Sequence, residues 1–244
     1  MNGVSYAWDN NGNLLNDGVN IPRLRSGQAP TYNQANRLAS VTSNQSSVFS
    51  YTYNGLGDRL RQTVNGVTST YANDYAAGLT QVLDDGTSTY LYGVGRIGQY
   101  DTAMQHFGAD GLGSVRQIYN SAGIVQMNGR YDPFGNVMSA NGNATSVYGF
   151  TGEQTDATGL VYLRARYYDA GVGRFLTDDP WQGNPNQPMS YNDWLYVYGN
   201  PVNLTDPSGH DPWWCDTQAD KTLCILSYNI DHGGKLDEKT LKMA

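Results

Sequence analysis

The sequence predicts an all-β protein built as a long antiparallel meander of strands. Its 244 residues include 29 Gly and 19 Tyr but only 5 Phe, and charged residues make up only 15%. Tyrosine suits a strand with one packed and one wet face, because its ring is buried while its hydroxyl reaches water. Glycine at this density is typical of many tight turns. Together these observations favour a repetitive β-protein over a helical one.

A recurring segment supports this fold class: aromatic residues, an Asp or Asn turn, and an ending like Gly-Asn-Leu. Its copies begin at Tyr6, Tyr32, Tyr51 and Arg130. Period-2 alternation in each copy gives a strand with one buried face, and Asn, Asp and Gly supply the positive-φ residues of a hairpin turn. Further hairpins are predicted within residues 83–90, 119–124 and 155–160. Before residue 210, only the stretch 190–198 is ambiguous between strand and helix.

Charge and hydropathy argue against several classes of partner and location. The formal net charge of −7 disfavours nucleic acid, because phosphate binding needs clustered Lys and Arg. No apolar run approaches the roughly 20 residues of a membrane helix. The first residues, from Met1 to Tyr6, contain neither the basic segment nor the apolar core of a signal peptide. Because a repeat is already under way at Met1, we expect a fragment of a larger protein that carries the export signal.

A break in composition near His210 predicts a C-terminal segment of different origin. Every arginine lies between Arg23 and Arg174, whereas every lysine lies at Lys221 or beyond. Both cysteines also follow the break. The residues after His210 therefore form a separate tail.

The tail is predicted to be helical in two short stretches. Ala219, Leu223 and Leu226 fall at i, i+4 and i+7, which fits an amphipathic helix, and residues 235–244 form the second stretch. Cys215 and Cys224 are compatible with either a disulfide or two free thiols. Trp213 and Trp214 are apolar enough to dock on the preceding sheet. So short a tail buries too little core for a catalytic toxin domain, which leaves a plug, a remnant or the stump of a longer effector.

Six short motifs follow one another between His106 and Gly209. They are His106-Phe-Gly-Ala-Asp-Gly-Leu-Gly-Ser-Val-Arg116, Tyr148-Gly-Phe-Thr-Gly-Glu153, Gly159-Leu-Val-Tyr-Leu-Arg-Ala-Arg-Tyr-Tyr-Asp169, Gly173-Arg-Phe-Leu176, Leu195-Tyr-Val-Tyr-Gly-Asn-Pro-Val202 and Asp206-Pro-Ser-Gly209. In this order they resemble the RHS repeat-associated core domain, and the earlier segments resemble YD repeats. The resemblance divides the chain into YD repeats at 1–104, a core domain at 105–210 and a variable C-terminal tail at 211–244.

This resemblance implies a role in encapsulation. RHS proteins build a hollow β-cocoon from spiralling strands, with the core domain plugging one end and a variable C-terminal segment, often a toxin, inside or just past it. The chain is then a structural shell fragment of a polymorphic-toxin-type protein, secreted or at the cell surface. Its implied partners are its own C-terminal segment and the remainder of a larger RHS chain. A carbohydrate- or cell-surface-binding module is the alternative, since tyrosine rings also stack on sugars.

The resemblance also raises self-cleavage, because several RHS core domains are aspartic autoproteases that cut the tail free. Such cleavage needs two carboxylates close enough to share a proton. The matching positions are Asp179 and Asp206, each followed by Pro, and the scissile bond would follow His210. The two elements lie further apart than the family pattern expects, and His210 stands where Leu is usual.

Other residues in this stretch are weaker candidates. Asp178 and Asp193 add carboxylates, and Arg174 is a nearby charge partner. Asp-Pro is also a common turn opener, because Asp caps the following backbone and Pro fixes φ. Turn-forming aspartates in an inactive core domain are therefore the favoured interpretation, and any enzymatic activity is limited to self-cleavage.

Two further sets of residues complete the expectations. Arg164 and Arg166 are predicted to alternate within one strand, share a face and pair with acidic neighbours. The three histidines, His106, His210 and His232, are scattered, and no His, Cys or carboxylate pair has metal-ligand spacing. No metal and no cofactor is predicted.

Overall fold

The computed structural model describes residues 6–16, 29–42, 47–181, 185 and 188–210. Almost all regular structure in these ranges is antiparallel β-sheet. The predicted all-β meander is therefore confirmed. The tail helices, Trp213, Trp214 and the cysteines Cys215 and Cys224 lie outside the described residues.

The early strands form a hairpin and a five-stranded sheet. The hairpin pairs β1 (Ala7–Trp8) with β2 (Leu14–Asn16). The sheet contains β3 (Ala29–Tyr32), β4 (Leu38–Thr42), β5 (Val48–Tyr53), β6 (Arg59–Val64) and β7 (Val67–Thr70). These five strands pair in chain order. They are the strands that the alternating aromatic and β-branched residues predict.

The next strands form an eight-stranded sheet, again paired in chain order. They are β8 (Ala72–Asp74), β9 (Gln81–Asp84), β10 (Thr89–Gly93), β11 (Gly95–Tyr100), β12 (Met104–Ala109), β13 (Val115–Asn120), β14 (Val125–Tyr131) and β15 (Val137–Gly142). The hairpins predicted within 83–90 and 119–124 are confirmed as β9–β10 and β13–β14. The domain boundary predicted after residue 104 falls at β12, which pairs with β11, and the division itself stays a prediction.

One turn recurs between these strands and explains the repeated Asp or Asn. In the turn from β14 to β15, Asp132 Oδ1 accepts the backbone N–H groups of Phe134 at 3.0 Å and Asn136 at 2.9 Å. Gly135 takes φ +96°, a conformation that glycine adopts without a Cβ penalty. The same side-chain pattern recurs at Asp9, Asn33, Asn54, Asp110 and Asn120. These aspartates and asparagines are structural, because each replaces backbone partners at a chain reversal.

A small four-stranded sheet lies at the centre of the packing. It comprises β16 (Gln154–Thr155), β17 (Val161–Leu163), β18 (Arg166–Asp169) and β19 (Arg174–Phe175). On one face, Tyr162 and Tyr167 pack with Leu38 and Phe49 of the five-stranded sheet. On the other face, Val161, Leu163 and Tyr168 pack with the 3-10 turns. Burial on both faces accounts for the apolar residues at 160–163 and 167–168.

The shape of the β17–β18 hairpin overturns one expectation. Arg164 and Arg166 do not alternate within a single strand, because Arg164 lies in the two-residue turn and Arg166 begins β18. Arg164 has φ 60°, and its Nε donates to the carbonyl of Thr80 at 3.1 Å. Tertiary contacts rather than Gly or Asn thus hold this turn, so the sequence shows no turn signal.

The ambiguous stretch 190–198 forms neither a strand nor a regular helix. Pro188–Tyr191 and Tyr196–Gly199 are 3-10 turns, and a third such turn is Phe150–Gly152. Within the second, Val197 and Tyr198 have φ 43° and 54°. A β-branched residue in the left-handed region is strained, so the surrounding core must hold this turn in place.

Candidate functional site

Arg166 forms the centre of a buried cluster of charged residues. It starts β18, and its side chain is only 4% exposed. Its Nη2 lies 2.6 Å from Asp179 Oδ2 and 3.7 Å from Asp206 Oδ2. The two aspartates predicted from the sequence therefore meet at one guanidinium group, although they are far apart along the chain.

The same guanidinium group holds the chain at the predicted cleavage position. Its Nε donates to the carbonyl oxygen of Gly209, and its Nη2 donates to that of His210 at 3.2 Å. Its Nη1 donates to the carbonyl oxygen of Asp193 at 2.7 Å. Arg166 thus links both carboxylates to the last described peptide groups.

Asp206 is the most buried acid of the cluster, with a side chain 1% exposed. Its Oδ1 accepts the backbone N–H of Gly209 at 2.8 Å and the hydroxyl of Ser208 at 3.0 Å. Burial raises the pKa of Asp206 to about 6, against the opposing charge of Arg166 and these hydrogen bonds. The carboxyl therefore both caps a turn and titrates well above its ordinary range.

Asp179 is held from two further sides. Its Oδ1 accepts the backbone N–H of Trp181 at 3.0 Å and lies 3.5 Å from His210 Nδ1. The Asp179 side chain is 7% exposed, whereas that of His210 is 41% exposed. A water molecule can therefore approach the cluster from the side of His210.

The weaker candidates divide into two groups. Burial, and then the charge of Asp193, raise the pKa of Asp178; burial, and then the charge of Asp179, raise that of Asp193. Both acids therefore belong to the electrostatic surroundings of the cluster. Arg174 lies on β19 with an exposed side chain, and it makes no ion pair within the described ranges.

Arg166, rather than Arg174, is thus the charge partner of the two aspartates. The expectation that Arg164 and Arg166 pair with acids holds for both, since Arg164 Nη1 lies 3.0 Å from Glu153 Oε1. The sequence signal for Arg166 was its place in a run of otherwise buried residues, where a charge must be paired. The catalytic role of the acids stays a prediction.

The described part of the chain offers few other sites. It contains no group of three or more His, Cys, Asp or Glu side chains placed to hold a metal ion. None of its helical segments has the length and hydropathy needed to cross a bilayer. Eight tyrosines of the described residues are buried, including Tyr51, Tyr90, Tyr167 and Tyr168, and glycan binding by the exposed ones stays a prediction.

The recurring Asx turns, the meandering sheets and the central four-stranded sheet together define a β-shell protein of the YD-repeat class. A family model described as Teneurin YD-shell matches residues 1–203. The chain belongs to this family. The RHS/YD-repeat resemblance that the motifs indicate is therefore confirmed.

Two curated relatives are, by name, a tRNA nuclease and a DNA deaminase toxin. The chain is 30% identical over 228 residues to tRNA nuclease WapA of Bacillus subtilis (strain 168), covering 87% of this chain and 9% of WapA. It is 26% identical over 278 residues to double-stranded DNA deaminase toxin A of Burkholderia cenocepacia (strain H111), covering 84% of this chain and 19% of the toxin. The chain thus spans less than a fifth of the length of either relative.

Solved structures show the same fold. The crystal structure of TcdB2-TccC3-Cdc42 matches with a TM-score of 0.63 and 22% identity, over 83% of this chain and 11% of that one. The Photorhabdus luminescens Tc holotoxin pore matches with a TM-score of 0.64 and 20% identity, over 84% of this chain and 11% of that one. The chain is therefore a YD-repeat β-shell of the kind found in toxin proteins.

Proposed function

We propose that this chain is a shell fragment of a larger RHS toxin protein and that it holds the segment following His210. The observation that carries the proposal is the attachment of Gly209 and His210 to the buried Arg166 guanidinium. Because Gly209 and His210 are fixed to the core, the segment that follows starts from a defined point. The toxin names of the relatives support export of the parent protein, either secreted or displayed at the cell surface.

The test is limited proteolysis of the purified chain with a non-specific protease. If the shell holds the segment after His210, the wild type loses that segment slowly and an Arg166→Met variant loses it quickly. Arg61→Met is the matched control, because Arg61 is exposed on β6. This variant should lose the segment after His210 at the same rate as the wild type. An Arg166→Lys variant, which keeps the charge, separates loss of contacts from loss of folding. Rapid trimming of the wild type would contradict the proposal.

A second function, self-cleavage after His210, is favoured by one specific observation. Arg166 Nη2 donates to the carbonyl oxygen of His210 at 3.2 Å while it contacts both Asp179 and Asp206. A cation at this oxygen stabilises the negative charge that forms there when water attacks the carbonyl carbon. The cluster therefore supplies two carboxylates and an electrophilic group at one peptide bond.

The reaction is a hydrolysis of the peptide bond between His210 and Asp211. Asp179 takes a proton from the attacking water as general base, and Asp206 gives a proton to the leaving nitrogen as general acid. The products are a carboxylate on His210 and an amine on Asp211. The raised pKa of Asp206, about 6, suits a group that must carry a proton in mildly acidic solution.

Intact mass spectrometry after a day of incubation tests this activity. We expect two fragments that separate after His210, forming faster at pH 5.5 than at pH 7.5 because more Asp206 is protonated. Asp206→Asn and Asp179→Asn should abolish cleavage, whereas Asp178→Asn, the adjacent acid outside the ion pairs, should still cleave. A single uncut mass in the wild type at both pH values would remove the activity and leave the holding role.

A further inference from the structure

A groove opens beside the attachment point of His210, and neither proposed function uses it. It has a volume of about 450 Å³, which falls in the roughly 300–1,000 Å³ range of binding pockets. Its walls are the β3–β4 turn at residues 35–37, the β5–β6 turn at residues 56–58 and residues 78–80. Residues 164–166, 177, 178, 180, 208 and 210 complete it. We call this cavity the exit groove.

An exposed apolar side chain stands in the exit groove on a rigid turn. Leu56 is 83% exposed, yet its backbone is fixed because Asn54 Oδ1 accepts the N–H groups of Leu56, Gly57 and Asp58 at 2.7–2.9 Å. Because this turn is already ordered, an apolar partner can pack on Leu56 without the entropic cost of ordering its backbone. Leu56 therefore marks the apolar end of the groove.

A cation stands beside this anchor. Arg37 Nη2 donates to the carbonyl oxygen of Leu56 at 3.4 Å, and Gly57 makes room for the guanidinium, since a Cβ there would overlap Arg37 Nη2. Within the described ranges Arg37 has no carboxylate partner, in contrast to Arg164 and Arg166. The groove thus presents Leu56 and the Arg37 guanidinium side by side, and two carboxylates, Asp58 and Asp178, also line it.

The segment that begins where the groove begins has the complementary chemistry. His210 is part of the groove wall, and the next residues are Asp211-Pro-Trp-Trp-Cys215. Indole rings bury large apolar surfaces and are the best aromatic partners of a guanidinium. Four residues of extended chain reach about 13 Å from His210.

We propose that the exit groove binds residues 211–215 of the same chain, with a tryptophan ring against Leu56 and the Arg37 guanidinium. This inference rests on the proposed function, because it names where the held segment docks. The groove then acts as a clamp at the point where the segment leaves the core. Its occupant is set by the indole rings close behind His210.

Disulfide trapping with the native Cys215 tests the clamp in the full-length chain. Ala35→Cys, at an exposed wall position that leaves Leu56 and Arg37 in place, is combined with Cys224→Ser, so that Cys215 is the one native thiol left. Val67→Cys in the same background is the matched control, since Val67 is also exposed, at 75%. Val67 lies beyond the far end of β6. This strand has six residues and is about 20 Å long, and its near end follows the groove residues 56–58. Both positions are at the surface, so neither substitution threatens the fold.

The expected result is an intramolecular Ala35→Cys to Cys215 disulfide, seen by mass spectrometry of an unreduced digest, at ten times or more the yield of the Val67→Cys control. Adding Arg37→Glu or Trp214→Ala should lower that yield several-fold. Equal yields at the two positions, with the segment still protected from protease, would overturn the clamp and leave the holding role standing. Equal yields with an unprotected segment would overturn both.

Discussion

A single buried carboxyl makes the stability of this protein depend on pH. The pKa of Asp206 is raised from its ordinary 3.8 to about 6, mainly by burial. The folded state therefore binds this proton more tightly than the unfolded state does. The free energy of unfolding should fall as the pH rises from about 4 to about 7, by an amount on the order of 3 kcal/mol.

The measurement is urea unfolding of the wild type and of Asp206→Asn across this pH range. Asparagine cannot titrate, so the variant should lose the part of the pH dependence that Asp206 contributes. As the pH rises, the free energy of unfolding of the wild type should fall relative to that of the variant. Parallel curves for the two proteins would show that Asp206 keeps an ordinary pKa in the fold.

A second residue, Arg59, is buried as a charge among aromatic rings. Its Nη1 lies 2.7 Å from Asp156 Oδ2, with side chains 1% and 0% exposed. Its guanidinium carbon lies 4.3 Å from the ring centre of Tyr162 and 4.9 Å from that of Tyr71. Arg59→Met removes the cation and leaves Asp156 buried without a counter-charge, which should cost about 3–5 kcal/mol.

The same unfolding experiment has a control on the same strand. Arg61, two residues along β6, is exposed, so Arg61→Met should change stability by less than about 0.5 kcal/mol. Adding Asp156→Asn to Arg59→Met should recover part of the loss, because it removes the orphaned charge. A loss of similar size from Arg61→Met would show that the ion pair is not the cause.

At the scale of elements, alanine substitutions at two turn glycines distinguish the cost of backbone strain from the cost of overpacking. Gly123 has φ +76°, and a Cβ there would meet no atom within 4 Å, whereas at Gly135, φ +96°, a Cβ would lie 2.6 Å from the Phe150 ring. Gly123→Ala should cost about 1–2 kcal/mol from the left-handed backbone. Gly135→Ala should cost a further 1–3 kcal/mol or so from overpacking.

Thermal unfolding of the two variants, followed by circular dichroism, compares these glycines directly. Both lie at the same position of the same recurring turn, so the backbone contribution cancels in the difference. Gly135→Ala should melt at a clearly lower temperature than Gly123→Ala. Equal melting temperatures would mean that the Phe150 ring moves away from the new Cβ without a cost in free energy.

The hairpins could be predicted from the sequence because their causes are local. An Asp or Asn at the first position and a positive-φ residue three positions later are visible in the chain, as at Asp132 and Gly135. The β17–β18 turn could not be predicted, since Arg164 is held in its left-handed conformation by Thr80 and Glu153, which are remote in sequence. For the same reason the sequence indicated both aspartates but proposed Arg174 instead of Arg166 as their partner.

At the scale of the whole molecule, local unfolding should begin at the sheet edges and reach the central four-stranded sheet last. β17 and β18 are buried at every position, whereas β15 is an edge strand with five of its six residues exposed. Amide exchange should therefore be slower by orders of magnitude in residues 161–163 and 166–169 than in 137–142. Hydrogen exchange with mass spectrometry measures this, and faster exchange in the central sheet would contradict the described packing.

The Arg59–Asp156 pair also constrains the order in which parts of the chain can fold during translation. The two residues are 97 positions apart, so a ribosome working at roughly 5–20 residues per second makes the acid about 5–20 s after the base. Until Asp156 has been made, the guanidinium of Arg59 has no counter-charge with which it can be buried. Arg59 can therefore be buried with its partner only after residue 156 has been made, and the residues after His210 leave the ribosome after that.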